Sequence, residues 1–212
     1  MKPATNADGV AFHKTKDGLK GIGQEIRVWS YSNCEEVELI VNGRSQGRKE
    51  MPRNSHLEWK VKYEPGYIEL RGYNAGQLVA TDRKETTGKA VAIRLKPDRE
   101  KIKADNHDVS QVTVEIIDKK GRMVPTANNE ITFTISDNGK IIGACNGDPA
   151  CHVPENRTIY PAFNGLMMVY VQSSFEAGPI TLKAKAPGLE TAEVVIKAEA
   201  CTPKPFVPSL TK

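Results

Sequence analysis

Glutamates are the residues of this chain best suited to acid–base chemistry, and several occur between positions 35 and 69. Two carboxyl groups can act as general acid and general base when their surroundings separate their pKa values. Here the glutamates share short, extended-looking segments with lysine and arginine, as in Leu57–Lys62. That pattern is typical of a solvent-facing sheet surface. We therefore predict that none of these glutamates is catalytic: Glu35, Glu36, Glu38, Glu58 and Glu69.

Possible metal ligands occur together at two places. Cys145, Cys151 and His152 combine sulfur and imidazole, but zinc sites usually show tighter pairs and a fourth ligand, which does not follow here. Asp105-Asn-His-Asp108 offers oxygen ligands, yet it lacks the regular alternation of a calcium loop and fits a turn between strands. We predict no metal and no cofactor.

The cysteines could be free thiols or could form a disulfide bridge. The chain is too long to need a disulfide framework, and the spacing of its four cysteines is uneven. We expect free thiols, with a bridge between Cys145 and Cys151 as the alternative in an exported protein.

Alternating apolar and polar residues define the elements that must hold these groups. Val37, Leu39 and Val41 form one such stripe, and the Asn42-Gly43 pair that follows is the strongest short signal for a hairpin. Comparable stretches recur to about position 197, and no helical period of useful length interrupts them. The chain is predicted to be all-β and to form antiparallel sandwiches.

Composition narrows the class of partner. The 212 residues contain 30 Lys and Arg against 26 Asp and Glu, giving a net charge of +4 with the two signs interleaved. Such interleaving disfavours nucleic acid as a partner. No apolar run is long enough for a membrane span, and the first residues lack the apolar core of a signal peptide.

Breaks in the series of strand patterns predict two modules. Residues 1–23 read as an irregular lead-in, 24–88 as one sandwich, 89–199 as a second sandwich and 200–212 as a proline-rich tail that runs extended or disordered. The best boundary is Thr86-Thr-Gly-Lys89, where some hinge freedom is expected.

Particular phrases resemble a known family. Val28–Arg48 resembles a β-sandwich module that follows the catalytic barrel in bacterial, Bacteroides-type glycoside hydrolase family 2 enzymes of the β-galactosidase type. Asn146-Gly-Asp-Pro149 and Ala162-Phe-Asn-Gly165 resemble the last module of the same enzymes, while Ala177–Ala184 and Asp118–Pro125 resemble bacterial immunoglobulin-like domains. The resemblance implies two tandem immunoglobulin-like β-sandwich domains. It also implies that Cys34 is a buried free thiol.

The same resemblance implies a non-catalytic role, because no position matches the catalytic motifs of the family. The sequence also lacks the alternating strand and helix patterns that a βα barrel requires. The implied partners are the catalytic and other domains of a parent glycosidase, together with carbohydrate as a further candidate. A parent of this type is expected to be periplasmic or exported. A surface-protein spacer or adhesin stalk and a free-standing carbohydrate-binding module remain the alternatives.

Two sets of residues are candidates for contact with carbohydrate or with a neighbouring domain. Sugar rings stack on exposed aromatic faces, and among Trp29, Tyr31, Trp59, Tyr67 and Tyr73 we expect Trp59 in the core and favour Trp29 and Tyr31. The second set lies in the long segment 144–164, which we expect to lack secondary structure and to contact another domain of the parent. Its candidates are Asn146, Asp148 and Phe163.

Overall fold

A computed structural model describes residues 10–11 and 23–202 of the chain. These residues form β-strands and connecting loops, and none of them belongs to a helix that could cross a membrane. Contacts divide the chain into two compact units, Met1–Thr86 and Thr87–Lys212. The predicted conformations of most of the lead-in and of the proline-rich tail lie outside the described residues.

Unit 1 is a sandwich of two antiparallel sheets. One sheet has the order β1-β2-β5 and the other the order β4-β3-β6-β7. The strands are β1 (Val10–Ala11), β2 (Glu25–Ser30), β3 (Glu36–Val41), β4 (Arg44–Glu50), β5 (Leu57–Lys62), β6 (Tyr67–Asn74) and β7 (Gln77–Glu85). Each sheet buries one face of alternate residues. The shared core contains Val28, Val37, Leu39, Val41, Leu57, Trp59, Val61 and Leu70.

Unit 2 is a larger sandwich built in the same way, with sheets of order β12-β14-β10-β8 and β13-β11-β15-β16-β9. All of its strand pairs are antiparallel except β9 with β16. The strands are β8 (Ala90–Pro97), β9 (Lys101–Lys103), β10 (Val109–Asp118), β11 (Glu130–Ile135), β12 (Gly139–Cys145), β13 (Ile159–Pro161), β14 (Leu166–Ser173), β15 (Gly178–Lys185) and β16 (Ala192–Glu199). The predicted all-β fold with two immunoglobulin-like sandwiches is confirmed.

The two-residue strand Val10–Ala11 pairs with β2, although the sequence predicted an irregular lead-in over residues 1–23. Two further short strands fall where the sequence predicted none. Ile159–Pro161 pairs with Glu130–Thr132, so the expectation of a structureless segment over 144–164 is wrong at its C-terminal end. Lys101–Lys103 pairs in parallel with β16. Both strands have three residues, too few to show a period of two.

The hairpin turn between β3 and β4 forms as predicted and supports a second turn. Asn42 and Gly43 both have positive φ, as a two-residue hairpin loop requires. The Asn42 side chain accepts a hydrogen bond from the Tyr67 amide at 2.7 Å and donates to the Pro65 carbonyl at 3.2 Å. A Cβ added at Gly66 would lie 1.9 Å from Asn42 Oδ1, so this close approach requires glycine.

Replacing Gly66 by alanine should therefore destabilise unit 1 more than replacing Gly76, which also has positive φ but has open space around it. We expect a loss of about 3 kcal/mol for Gly66→Ala, from backbone strain and overpacking together, and about 1 kcal/mol for Gly76→Ala. Both tryptophans lie in unit 1, so urea unfolding followed by tryptophan fluorescence measures the difference. Equal losses would show that the Asn42 contact is unimportant.

Candidate functional site

Three rings lie side by side on the outward face of β2 and the start of β5. The Trp29 ring lies 4.7 Å from that of His56, and the Tyr31 ring lies 5.5 Å from the same histidine, between centroids. The indole N–H of Trp29 donates to Glu58 Oε2 at 2.8 Å, directly across the strand pair. The structure thus brings the two predicted aromatics together around His56, a residue that the sequence did not single out because it lies outside the alternating strand pattern. We call these three residues the ring cluster.

Two further aromatic side chains of unit 1, Tyr73 and Tyr67, are each covered by an arginine. The guanidinium of Arg48 lies 3.7 Å from the centroid of the Tyr73 ring, and that of Arg83 lies 3.7 Å from the centroid of the Tyr67 ring. Such stacking occupies the ring face that a sugar would need. Trp59 is 4 % exposed and belongs to the core, as predicted.

The predicted residues of the second module organise their own loop. Asn146 donates to the Pro161 carbonyl at 2.8 Å and accepts from the Asp148 amide at 3.0 Å. Asp148 in turn accepts from the Ala150 amide at 2.9 Å. Phe163 pairs with Leu166 through two backbone hydrogen bonds, and its ring lies near Gly147. Asn146, Asp148 and Phe163 are thus neighbours, and the two polar side chains stabilise turns.

Several glutamate carboxylates of unit 1 form hydrogen bonds and ion pairs with neighbouring groups, as is typical of an ionised sheet surface. Glu36 pairs with Arg48, and Glu69 pairs with Arg71 at 2.7 Å. Glu58 lies 3.7 Å from Arg27 in addition to its bond with Trp29. Glu35 is exposed, and its carboxylate accepts a hydrogen bond from the backbone amide of Ala75 at 2.6 Å, which supports the β6–β7 turn. Glu38 accepts from Ser45 and Tyr73 at 2.6 and 2.9 Å.

These contacts favour the charged form of the carboxyl groups. The hydrogen bond from Ser45 lowers the pKa of Glu38, and that from the Arg44 guanidinium lowers the pKa of Glu64. Burial acts to raise the pKa of Glu115, but Lys96 and Arg94 outweigh it and the pKa is lowered. A general acid that protonates a leaving group near neutral pH needs a raised pKa. These three carboxyl groups are shifted in the opposite direction.

The two cysteines that were considered as metal ligands contact different tyrosines. Cys145 Sγ lies 3.7 Å from the Tyr170 hydroxyl, and Cys151 Sγ lies 3.7 Å from that of Tyr160. Burial, together with the contact to Cys151, raises the pKa of Tyr160 to about 12. The described residues contain no group of three potential ligands placed to hold a metal ion.

Asp105 and Cys34 were two further residues that the sequence singled out. Asp105 accepts from the His107 and Asp108 amides at 3.0 and 2.8 Å, which is turn chemistry. Cys34 is a buried free thiol, as predicted, and a Cβ added at Gly72 would lie 2.5 Å from its sulfur.

A surface groove of about 770 Å³ in unit 2 was not predicted from the sequence. One wall is formed by residues 87–90, and the other by residues 124 and 126–129. The lining includes the small apolar residues Ala90, Val124 and Ala127, of which Val124 and Ala127 are buried. Of this lining the sequence singled out the boundary at residues 86–89 but not residues 126–129, because the two walls are separated in sequence by the whole of β10.

The first wall of the groove is held by a buried carboxylate. Asp118 is 3 % exposed, and its Oδ2 accepts from the Gly88 amide at 2.8 Å. The same oxygen accepts from Arg122 Nε and Nη2 at 2.9 and 2.6 Å. The hydrogen bonds from Arg122, and then that from Gly88, hold the pKa of Asp118 well below its ordinary value.

Comparisons with known proteins bear on both units. Residues 93–195 match the glycoside hydrolase family 2 C-terminal domain 5, and residues 23–80 match a domain of unknown function, DUF4982. A β-galactosidase of Bacteroides ovatus is 42% identical over 84% of this chain and 21% of its own length. Residues 93–195 of the chain belong to the C-terminal domain 5 of glycoside hydrolase family 2.

Two further relatives support this assignment. A β-glucuronidase of Formosa agariphila is 32% identical over 84% of this chain and 18% of its own length. The crystal structure of a family 2 member from Bacteroides cellulosilyticus superposes with a TM-score of 0.80 at 34% identity, over 82% of this chain and 24% of that one. The chain therefore spans about a fifth of the length of the two curated relatives named above.

Replacing Asp118 by asparagine should lower the stability of unit 2, because the acceptor for both Gly88 and Arg122 loses its charge. Since the folded-state pKa is depressed, the ionised carboxylate contributes fully above the ordinary value of 3.8, and this contribution is lost as the pH falls through the folded-state pKa. Urea midpoints followed by circular dichroism should differ most between wild type and variant at neutral pH, and converge in acid.

The matched control is Asp137→Asn, at an exposed carboxylate that makes no hydrogen bond or ion pair with the described residues. It should leave the midpoint unchanged. An Asp118→Asn protein with the wild-type midpoint at neutral pH would contradict the role given to this carboxylate.

Proposed function

We propose that this chain is a non-catalytic accessory region of a longer family 2 glycoside hydrolase of the β-galactosidase type. Its role is to support the catalytic barrel, substrate access or oligomer contacts during carbohydrate degradation. The observation on which the proposal rests is the match of residues 93–195 to a C-terminal domain of that family, within a chain about a fifth as long as its curated relatives.

The chemistry of the carboxyl groups supports a non-catalytic role. Retaining glycosidases place two carboxyl groups about 5–5.5 Å apart and keep one of them protonated as the acid. In the described residues the clear pKa shifts of carboxyl groups are downward, at Glu38, Glu64, Asp105, Asp108, Glu115 and Asp118. Arginine, lysine, hydroxyl and backbone N–H partners account for these shifts, which favour structural carboxylates over a proton donor.

We propose the other domains of the parent enzyme as the main partners, with the ring cluster as one point of contact. Trp29 projects from the face of β2 opposite the core residue Val28, and Tyr31, which directly follows β2, is 36 % exposed. Aromatic side chains with a polar end are favoured at interfaces between domains and proteins. A periplasmic or exported location of the parent is part of the same proposal, and cell fractionation tests it.

The chain alone should not hydrolyse glycosides. We expect purified protein to release no 4-nitrophenol above the buffer rate from either the β-galactoside or the β-glucuronide, the two substrate classes that the names of its relatives suggest. The longer protein is the positive control. Turnover by the chain alone that disappears when one of its carboxylates is replaced would overturn the non-catalytic role.

The interdomain contact can be tested in the longer protein. Tyr31→Ser should speed thermal inactivation of the glycosidase several-fold, because a buried aromatic contact between domains stabilises both. The control is Val79→Ser, which removes an apolar side chain that is 54 % exposed on edge strand β7 of the same unit. Equal inactivation half-lives for wild type and Tyr31→Ser would exclude the ring cluster as a contact.

A further inference from the structure

The groove between residues 87–90 and 124–129 opens widely to solvent and has a volume in the range of small-molecule sites. Its volume of about 770 Å³ lies within the range of roughly 300–1,000 Å³ that is usual for ligand pockets. The lining includes Gly88, Ala90 and Ala127, whose small size lets a ligand approach the backbone. Hydroxyl, amide and ammonium groups stand on the two walls.

The walls are held in place before any ligand binds. The Asp118 carboxylate fixes Gly88 on the first wall. On the second wall, Asn128 Oδ1 accepts from the Asn164 amide at 2.8 Å, and the carbonyls of Ala127 and Asn129 accept from segment 162–165 at 2.7 and 2.9 Å. A site whose walls are already ordered loses less entropy on binding.

Several polar groups on the walls have hydrogen-bonding capacity to spare. With the described residues, the side chains of Lys89, Thr126 and Asn129 make no hydrogen bond or ion pair, and the only bond from the Asn128 side chain uses its oxygen. Together these groups provide donors and acceptors on both sides of the groove. A ligand rich in hydroxyls, each able to donate and accept, fits this set.

The charge of the groove selects among such ligands. Its lining contains one cation, Lys89, and no acidic residue. It also lacks any aromatic or large apolar side chain that could hold a peptide side chain. The ligand class that meets these conditions is a small, hydroxyl-rich molecule with a carboxylate.

We propose that this groove binds a carboxylate-bearing saccharide, a uronic-acid unit, with the carboxylate at Lys89 and the hydroxyls at Thr126, Asn128 and Asn129. The inference does not depend on the accessory function, because the groove lies within unit 2 and its binding can be measured without a catalytic domain. Binding at this site would hold an acidic glycan on the protein and leave its glycosidic bonds intact.

The test is a titration of the ¹⁵N-labelled full chain with methyl β-D-glucuronide, followed by amide chemical shifts. We expect saturable shifts at Lys89, Asn128 and Asn129, with about tenfold weaker binding of methyl β-D-glucoside, because only the glucuronide forms a charge-assisted hydrogen bond. Lys89→Met should abolish this preference, and Asn129→Ala should weaken binding of both sugars. The control Lys185→Met, at an exposed lysine of β15 outside the groove, should bind as wild type.

Three results would overturn the proposal. The first is the absence of saturable shifts at the groove with either sugar. The second is the same shifts from sodium acetate at equal concentration, which would mean an adventitious anion only. The third is an unchanged preference in Lys89→Met. The amide spectrum reports whether each variant is folded, so loss of the fold cannot be mistaken for loss of binding.

Discussion

The two-residue period of a β-strand is the constraint on which the rest of this structure depends. In unit 1 it places Val28 inward and Trp29 outward on the same strand, and it does the same for Trp59 and Glu58 on the neighbouring strand. A shift of one residue would expose the core and bury charges. The hairpin at Asn42-Gly43 fixes the register at one end. The hydrogen bond that the Tyr67 amide donates to the Asn42 side chain links this hairpin to the turn before β6.

The outward faces follow from the same constraint. Acidic and basic side chains that cannot enter the core meet each other on the sheet surface, where Glu36 pairs with Arg48 and Glu69 pairs with Arg71. These pairs keep the carboxylates ionised, and two arginines lie over the rings of Tyr67 and Tyr73. The outward surface of the β3–β6 sheet is therefore largely occupied by its own contacts. On the other sheet of unit 1 Tyr31 is 36 % exposed, and the groove in unit 2 is lined in part by exposed polar side chains.

The fold could be predicted wherever a strand was long enough to show alternation. The stripe Val37, Leu39 and Val41 and the Asn-Gly turn were sufficient for β3 and its hairpin. Strand β13 could not be predicted, because its three residues pair with β11 only after the chain has turned back across the sandwich. The groove was missed for a related reason. Its walls are distant in sequence, and Thr126, Asn128 and Asn129 have the composition of an ordinary turn.

The sequence identified some residues of the candidate sites and missed others. The alternation that placed Trp29 and Tyr31 on one face did not indicate His56, which joins them only through the pairing of β2 with β5. Asn146 and Asp148 were candidates because they are polar residues in a long loop. In the structure their side chains form hydrogen bonds with backbone groups of that loop. Their types are explained by turn chemistry without a ligand.

Covalent trapping followed by intact-mass analysis tests the non-catalytic account most directly. Activated 2-deoxy-2-fluoro glycosides leave a glycosyl group on the nucleophilic carboxylate of a retaining glycosidase. The account predicts that the isolated chain keeps its unmodified mass after incubation with the galactosyl and glucuronyl reagents, while the longer enzyme gains one glycosyl group. A stoichiometric adduct on any carboxylate of this chain would contradict it.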